Sequence, residues 1–284
     1  MFRRLILLIV IIAFFLTNYS CHETETQRLA VNWWDSVQQV QEDSIALTPL
    51  LRKLNEFLSS RGIDSSTTSI LIIDDTDENP VILVEYHPNQ LLIPASVQKI
   101  LVTGAALEIL GDQAKKDVNV CNLQSNNAVA NRLLKNLGKE VYGSHSYASG
   151  VRAVLGFWER KGIDMTGVQM VDGSGRRYDN FLTARQLVDI LYYQTTAPTF
   201  GSFYSSLPLA GISGTLRSTL KGTIAQGKIR AKTGTLASVK SLTGYASTVS
   251  GRKLIFAIIV NNYTCRTSVL KKMMEHVLIE MIEL

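Results

Sequence analysis

Apolar residues recur along this chain with two periods, and the alternation between them predicts the order of elements. Helical spacing appears first at Leu50, Leu51, Leu54 and Leu58, behind Thr48-Pro49 as N-cap and first helical position. Ser69 to Asp74 and Pro80 to Tyr86 then read as strands around a polar Asp75 to Asn79 turn. After an extended Leu-Leu-Ile-Pro run, Leu101, Ala105, Leu107 and Leu110 return to helical spacing, placing Ser96 in the first turn of a helix closed by Gly111. Gly111 to Gln124 reads as a bare connection. Helices follow over Asn127 to Leu137, Val151 to Lys161, and Ala184 to Thr195 behind an N-cap at Thr183. Leu207 to Ser213 is a loop, and Gly214 to Arg217 begins a short helical piece. Lys228 to Leu236, Ser241 to Val249 and Lys253 to Asn261 are β-branched, apolar strands, and Thr267 to Ile282 is a terminal helix. Two early strands and three late ones predict an α/β fold: one antiparallel sheet built from both chain ends, helices on its faces, and a helical lobe inserted between.

The amino terminus stands outside that scheme. Met1-Phe-Arg-Arg opens an apolar run ending at Leu16, too short for a good spanning helix, and this reads as an export signal over 1–21. Ser20-Cys21 is similar to a bacterial lipoprotein cleavage site, although Asn18 and Tyr19 depart from the usual pattern. Lipidation of Cys21, plain cleavage nearby and an uncleaved anchor all put the domain outside the cytoplasm, in a periplasm or on the outer face of a membrane. Residues 22–44 read as a tether with the first helical turns, Trp33-Trp34 packing against the domain, and 45–284 as the catalytic domain. With 284 residues, 46% of them hydrophobic, the chain is long enough to bury a full core. Its formal charge of +5 falls to +3 once Arg3 and Arg4 are set aside, leaving 27 basic residues against 24 acidic. The basic residues are scattered, with no aromatic interleaving, so nucleic acid is not an expected partner. No metal-ligand spacing appears, and His22, His87, His145 and His276 lie outside any motif, which argues against a Ser-His-Asp triad. The spacing of Cys121 and Cys265 leaves their pairing open.

The chemistry concentrates in three short motifs. At a helix start, unpaired backbone N–H groups and the helix dipole stabilise negative charge on a Ser oxygen. Lys99, one turn beyond Ser96, can lean back to that oxygen and, as a neutral amine, take its proton. Alone, Ser-x-x-Lys is an ordinary helix start with a solvated lysine. Here Ser125-Asn126-Asn127 and Ala231-Lys232-Thr233-Gly234-Thr235 follow it in order. The trio resembles the signature of penicillin-recognising serine enzymes. Asp172-Gly-Ser-Gly175, Leu207 to Arg217 and Ser241-Leu-Thr-Gly-Tyr245 extend the likeness to the D-alanyl-D-alanine carboxypeptidase and endopeptidase family, the low-molecular-mass class C penicillin-binding proteins, over roughly Ile70 to the C-terminus.

That resemblance implies a serine β-lactamase/penicillin-binding-protein (transpeptidase-like) fold. It implies a penicillin-sensitive serine peptidase that acts on peptidoglycan stem peptides, with β-lactams as ligands and with no cofactor or metal. Ser96 would form the acyl-enzyme and Lys99 would be its base, its pKa lowered by burial and by the charge of Lys232. Ser125 would relay a proton to the leaving group, and Asn127 would bind the peptide and Lys99. Lys232 and Thr233 would hold the terminal carboxylate, Gly234 would admit the substrate strand, and the N–H groups of Ser96 and Thr235 would form the oxyanion hole. Asp172 to Gly175 reads as a structural turn beside the site, while Arg217 reads equally as a carboxylate ligand or a loop cap. Two departures stand out: Asn126 occupies a place usually held by Asp, and Gly111 to Gln124 stands where relatives carry a large insertion of extra domains. Carboxypeptidase and endopeptidase action are not separated by sequence, and a peptidoglycan-binding lipoprotein without turnover is the alternative from another class. β-Lactamase activity is disfavoured, because no Glu-x-x-x-Asn motif lies between Asn127 and Lys232.

Overall fold

The computed structural model describes residues 46–284; the expected export signal, Cys21, and the tether with Trp33-Trp34 lie outside the described residues. All elements below belong to the unit formed by Pro49–Leu284. Five strands, β1 (Thr68–Asp74), β2 (Val81–Tyr86), β3 (Ile229–Leu236), β4 (Val239–Ser247) and β5 (Lys253–Asn261), form one antiparallel sheet in the order β2-β1-β5-β4-β3. The two chain ends thus contribute to one sheet, as the apolar pattern predicts. β4 starts two residues earlier than expected, because a turn of only Ala237 and Ser238, the latter left-handed at φ +53°, joins it to β3.

Strand alternation sorts the sheet into two faces. On the inner face Leu71, Ile73, Tyr245, Ile255, Ala257 and Ile259 join the main core. That core surrounds the helix Lys99–Leu110, in which every residue from Lys99 to Leu107 is buried. A helix that is apolar all round belongs inside a domain, so this one has neighbours on every side. Trp158, fully buried on the helix Tyr147–Arg160, lies against it, and its indole N–H donates to Leu101 O at 3.1 Å. Gly104 makes the approach possible, since a Cβ there would stand 2.9 Å from the indole ring.

Two readings need correction, one helix had no reading at all, and the open question of the two thiols closes. The segment after Gly111 is not a bare connection: a 3-10 turn, Gly111–Ala114, leads into a helix, Lys115–Leu123, that buries Val118, Cys121 and Asn122. Its three buried positions are too few to stand out as a periodic pattern. A short helix, Phe200–Ser206, was likewise illegible, though Phe203 and Ser206 are buried. Helical backbone is already present at residue 46, so Thr48 does not cap that helix. Cys121 and Cys265 are both free thiols.

Trp158→Ala should lower the unfolding free energy by about 3–5 kcal/mol, the usual cost of emptying a buried indole site. Urea denaturation of the variant beside the wild type measures it.

Candidate active site

A 3-10 turn, Ala95–Gln98, links the extended Leu91 to Pro94 run to the central helix, and Ser96 sits in it, half-buried. The turn is held from the sheet. Ser241 on β4 donates to Pro94 O at 2.5 Å, and the Pro94–Ala95 backbone lies flat on Gly234 of β3. A Cβ at Gly234 would stand 2.0 Å from Ser241 Oγ and 2.8 Å from Pro94 O. The structure adds an internal reason for this glycine: it lets the Ser96 turn touch β3. Ala95, in the left-handed region at φ +51°, is bent to fit the contact.

Lys99 is fully buried, and its ammonium donates to Ser96 Oγ at 2.7 Å, Asn127 Oδ1 at 2.8 Å and Ser174 O at 2.6 Å. Burial pushes its pKa down to about 8, against a smaller upward pull from Asp172; the expected contribution of the Lys232 charge is not among the causes of this shift, and it is Lys99 that lowers Lys232. Asn127 opens the helix Asn127–Tyr142, whose N-cap is Asn126, accepting from Val129 N at 3.1 Å. Asn and Asp cap about equally well, which accounts for Asn126 at that place. Ser125, at φ +54°, is therefore not the cap; it faces the fully buried Lys232, whose ammonium donates to Ser125 Oγ at 2.8 Å and to Thr233 O at 2.9 Å. Burial, and then the charge on Lys99, hold the Lys232 amine well below the usual lysine range.

Ser96, backed by Lys99 and Asn127, and Ser125, backed by Lys232, thus face one cleft of about 350 Å³ that also has Thr233 and Thr235 on its wall. β3 is the outermost strand at that side of the sheet. Ala231 N donates to Pro208 O and Ile229 O accepts from Ala210 N, both away from β4. Alternation then turns the N–H and C=O groups of Thr233 and Thr235 to the same open side.

The contacts around the site run further than the three motifs. The Asp172 carboxylate accepts from Ser174 N at 3.0 Å and Gly175 N at 2.7 Å, while Gln98 donates to Asp172 O at 2.6 Å. The turn is structural, as expected, but it also aims the Ser174 carbonyl at Lys99. Tyr178 reaches the turn between β3 and β4, its hydroxyl accepting from Ala237 N at 3.1 Å. Arg217 is exposed.

The D-Ala-D-Ala carboxypeptidase 3 (S13) family profile matches residues 115–280. That span contains Ser125, Asn127 and Lys232 to Thr235, and begins downstream of Ser96 and Lys99. The D-alanyl-D-alanine carboxypeptidase of Actinomadura sp. (strain R39) is 36% identical over 145 residues, covering 49% of this chain and 27% of its own length. The chain therefore spans about a quarter of that curated relative. Penicillin binding protein 4 from Haemophilus influenzae superposes with a TM-score of 0.55 at 21% identity, over 60% of this chain and 40% of that one. A class A β-lactamase from Bacteroides cellulosilyticus reaches a TM-score of 0.62 at 14% identity, over 84% and 98%. The fold is that of serine β-lactamases and penicillin-binding proteins, with an antiparallel five-stranded sheet.

Gly234→Ala should displace the Ser96 turn and slow acylation of Ser96 by benzylpenicillin at least a hundredfold. Adding Ser241→Ala, which removes the atom 2.0 Å from the new methyl, should recover part of that loss in stopped-flow or quench assays.

Proposed function

Because the chain belongs to the D-Ala-D-Ala carboxypeptidase 3 (S13) family, we propose that it is a serine-type D-Ala-D-Ala carboxypeptidase of peptidoglycan stem peptides, working through an acyl-enzyme on Ser96 and blocked by penicillin. The observation that carries this reading is the set of partners around Lys99. Two of them, Asn127 Oδ1 and Ser174 O, only accept hydrogen bonds, whereas Ser96 Oγ can also donate. When the ammonium loses a proton, the two acceptors keep the remaining N–H bonds between them, and the lone pair faces Ser96. Lys99 is thereby set to take the Ser96 proton.

The steps follow from the same geometry. Ser96 Oγ bonds to the carbonyl carbon of the penultimate D-Ala, and its proton passes to Lys99. The oxyanion lies against the Ser96 and Thr235 N–H groups, a contact worth about 3–4 kcal/mol per donor. Collapse breaks the C–N bond, and the leaving D-Ala nitrogen takes a proton through Ser125, which Lys232 holds at 2.8 Å. Water then attacks the ester, restoring Ser96 and releasing the shortened peptide. Thr233 and Lys232 bind the terminal carboxylate, whose charge favours the protonated form of the otherwise depressed Lys232. Placement of the domain outside the cytoplasm, with lipid on Cys21 as its tether, belongs to the same proposal. Benzylpenicillin is expected to remain bound as an ester, since no Glu-x-x-x-Asn base is present to release it.

Intact mass spectrometry after incubation with benzylpenicillin should reveal one penicilloyl adduct on the wild type and none on Ser96→Ala. Absence of both adduct and hydrolysed penicillin from the wild type would favour a peptidoglycan-binding protein without turnover. The pH dependence has a definite sign. The neutral amine is the base, so acylation should climb with pH to a plateau above about 8 and fall about tenfold per pH unit below it. At pH 7 a pKa of about 8 leaves about one Lys99 in ten neutral, against about one in three thousand at the ordinary value. A rate independent of pH between 6 and 8 would remove Lys99 from the role of base.

A further inference from the structure

The catalytic cleft does not end at the inner face of the sheet. Its wall passes over the open edge of β3 to the outer face, where it meets Leu242 and the terminal helix Thr267–Glu283. Register explains the route. Lys232 and Gly234 pair with Thr243 and Ser241 on the inner face, whereas Thr233 and Thr235 pair with Leu242 and Lys240 on the outer one. The 3-10 turn Gly214–Leu216 supplies a further wall, and the Thr233 hydroxyl ties it to the strand by donating to Thr215 Oγ1 at 2.8 Å. Ser96 and Ser125 thus share one cleft with a compartment behind β3.

That compartment is apolar at its floor and charged only among its half-buried residues. Leu216, Leu242, Met274 and Leu278 line the floor, none of them more than 5% exposed. Lys240, Lys271 and Glu275 are the half-buried charged residues of the same lining. Each has a local partner: Lys271 lies 3.6 Å from Glu275, and Lys240 donates to Thr235 Oγ1 at 2.7 Å. The Thr235 hydroxyl is committed in turn, donating to Gly234 O at 2.8 Å. An apolar floor with its charges already partnered favours a neutral, apolar group, which gains by burial, over an ion, which would have to be desolvated.

We propose that this compartment receives the side chain of the residue released from the substrate, so that the enzyme removes D-amino acids with larger apolar side chains as well as D-Ala. The assignment rests on the carboxypeptidase reading and deepens it, by giving the site a specificity on its leaving side. In that reading the leaving nitrogen stands at Ser125 and the carboxylate at Thr233 and Lys232, so the leaving residue straddles the β3 edge. Its remaining substituent is the one that can pass over the edge. The methyl of D-Ala is short for that path, whereas a longer aliphatic chain reaches Met274 and Leu242 and removes their surface from water. The bond changes are those already given: the acyl group goes to Ser96 and the amine leaves with a proton through Ser125. Because the contact departs with the amine, it acts on acylation and has no part in hydrolysis of the ester.

N-acylated peptides ending in D-Ala-D-Ala, D-Ala-D-Leu, D-Ala-D-Asn and D-Ala-D-Lys all yield the same acyl-enzyme, so kcat/KM for release of the last residue isolates the leaving side. The wild type should release D-Leu at least about tenfold faster than D-Asn, a side chain of similar shape and opposite polarity, and no slower than D-Ala. Met274→Trp fills the compartment and should lower the ratio of D-Leu to D-Ala release about tenfold. Lys271→Trp fills it from a half-buried position on the same helix and should lower that ratio in the same direction, and it decides the matter if Met274→Trp does not fold. A general disturbance of the site would slow all four peptides together and leave the ratios unchanged. Equal release of D-Leu and D-Asn, or a D-Leu to D-Ala ratio that Lys271→Trp does not move, overturns the proposal. A preference for D-Lys also overturns it, by assigning the compartment to Glu275. A wild type that releases none of the four residues overturns instead the carboxypeptidase reading beneath it, so the two failures are separable.

Discussion

A lysine ammonium taken out of water is unfavourable by several kcal/mol unless other groups replace its hydration. Lys99 is buried completely, and the structure around it is organised to make that replacement. Its three acceptors come from three separate parts of the chain: the Ser96 turn, the start of the Asn127–Tyr142 helix and the Asp172 to Gly175 turn. Each needs its own support. Asn126 caps the helix that presents Asn127, Asp172 folds the turn that presents Ser174 O, and Ser241 ties the Ser96 turn to the sheet. Loss of any one would leave a buried N–H without a partner, so the fold and the reactivity of Ser96 share one set of contacts.

The same burial gives the lysine its chemistry. In water its amine would be almost wholly charged at neutral pH and useless as a base. In this site desolvation lowers the pKa to about 8, and the nearby Asp172 carboxylate pulls the other way by less. Lys232, equally buried, is pushed down by the same cause and by the neighbouring charge of Lys99. Two such cations in one cleft create a demand for negative charge before any ligand arrives, and the open edge of β3 is where that charge can enter. Sheet geometry adds to the effect, because an outermost strand keeps a row of unpaired N–H and C=O groups on its outer side.

Legibility in the sequence followed the range of the interactions. The strands and the longer helices were readable because their apolar spacing reports local geometry: β1, β5 and the Lys99–Leu110 helix fall within a residue or a few of where the pattern puts them. The capping box at Thr183 and Gln186 was readable in part for the same reason, through its cap residue. Lys115–Leu123 and Phe200–Ser206 were not, since a short helix with two or three inward residues has no period distinguishable from chance. That Asn126 and not Ser125 caps the Asn127–Tyr142 helix depends on backbone angles that side-chain identity leaves undetermined.

By itself the sequence determined which reactive groups exist and in what order they follow: Ser96 and Lys99 one helical turn apart, Ser125 and Asn127 beside a second helix start, and Lys232 to Thr235 in a strand. These are local facts, set by residue identity and by the period of the backbone. Only the tertiary structure decided that Ser174 would contribute a backbone carbonyl, that Gly234 would be pressed against Pro94, and that Lys240 would face the cleft from the far side of β3. Backbone carbonyls have no sequence signature, and close packing between distant segments depends on how the whole core closes. The face on which a strand residue lies is fixed by the register of its neighbours, here Thr235 with Lys240, and that register exists only once the sheet has formed.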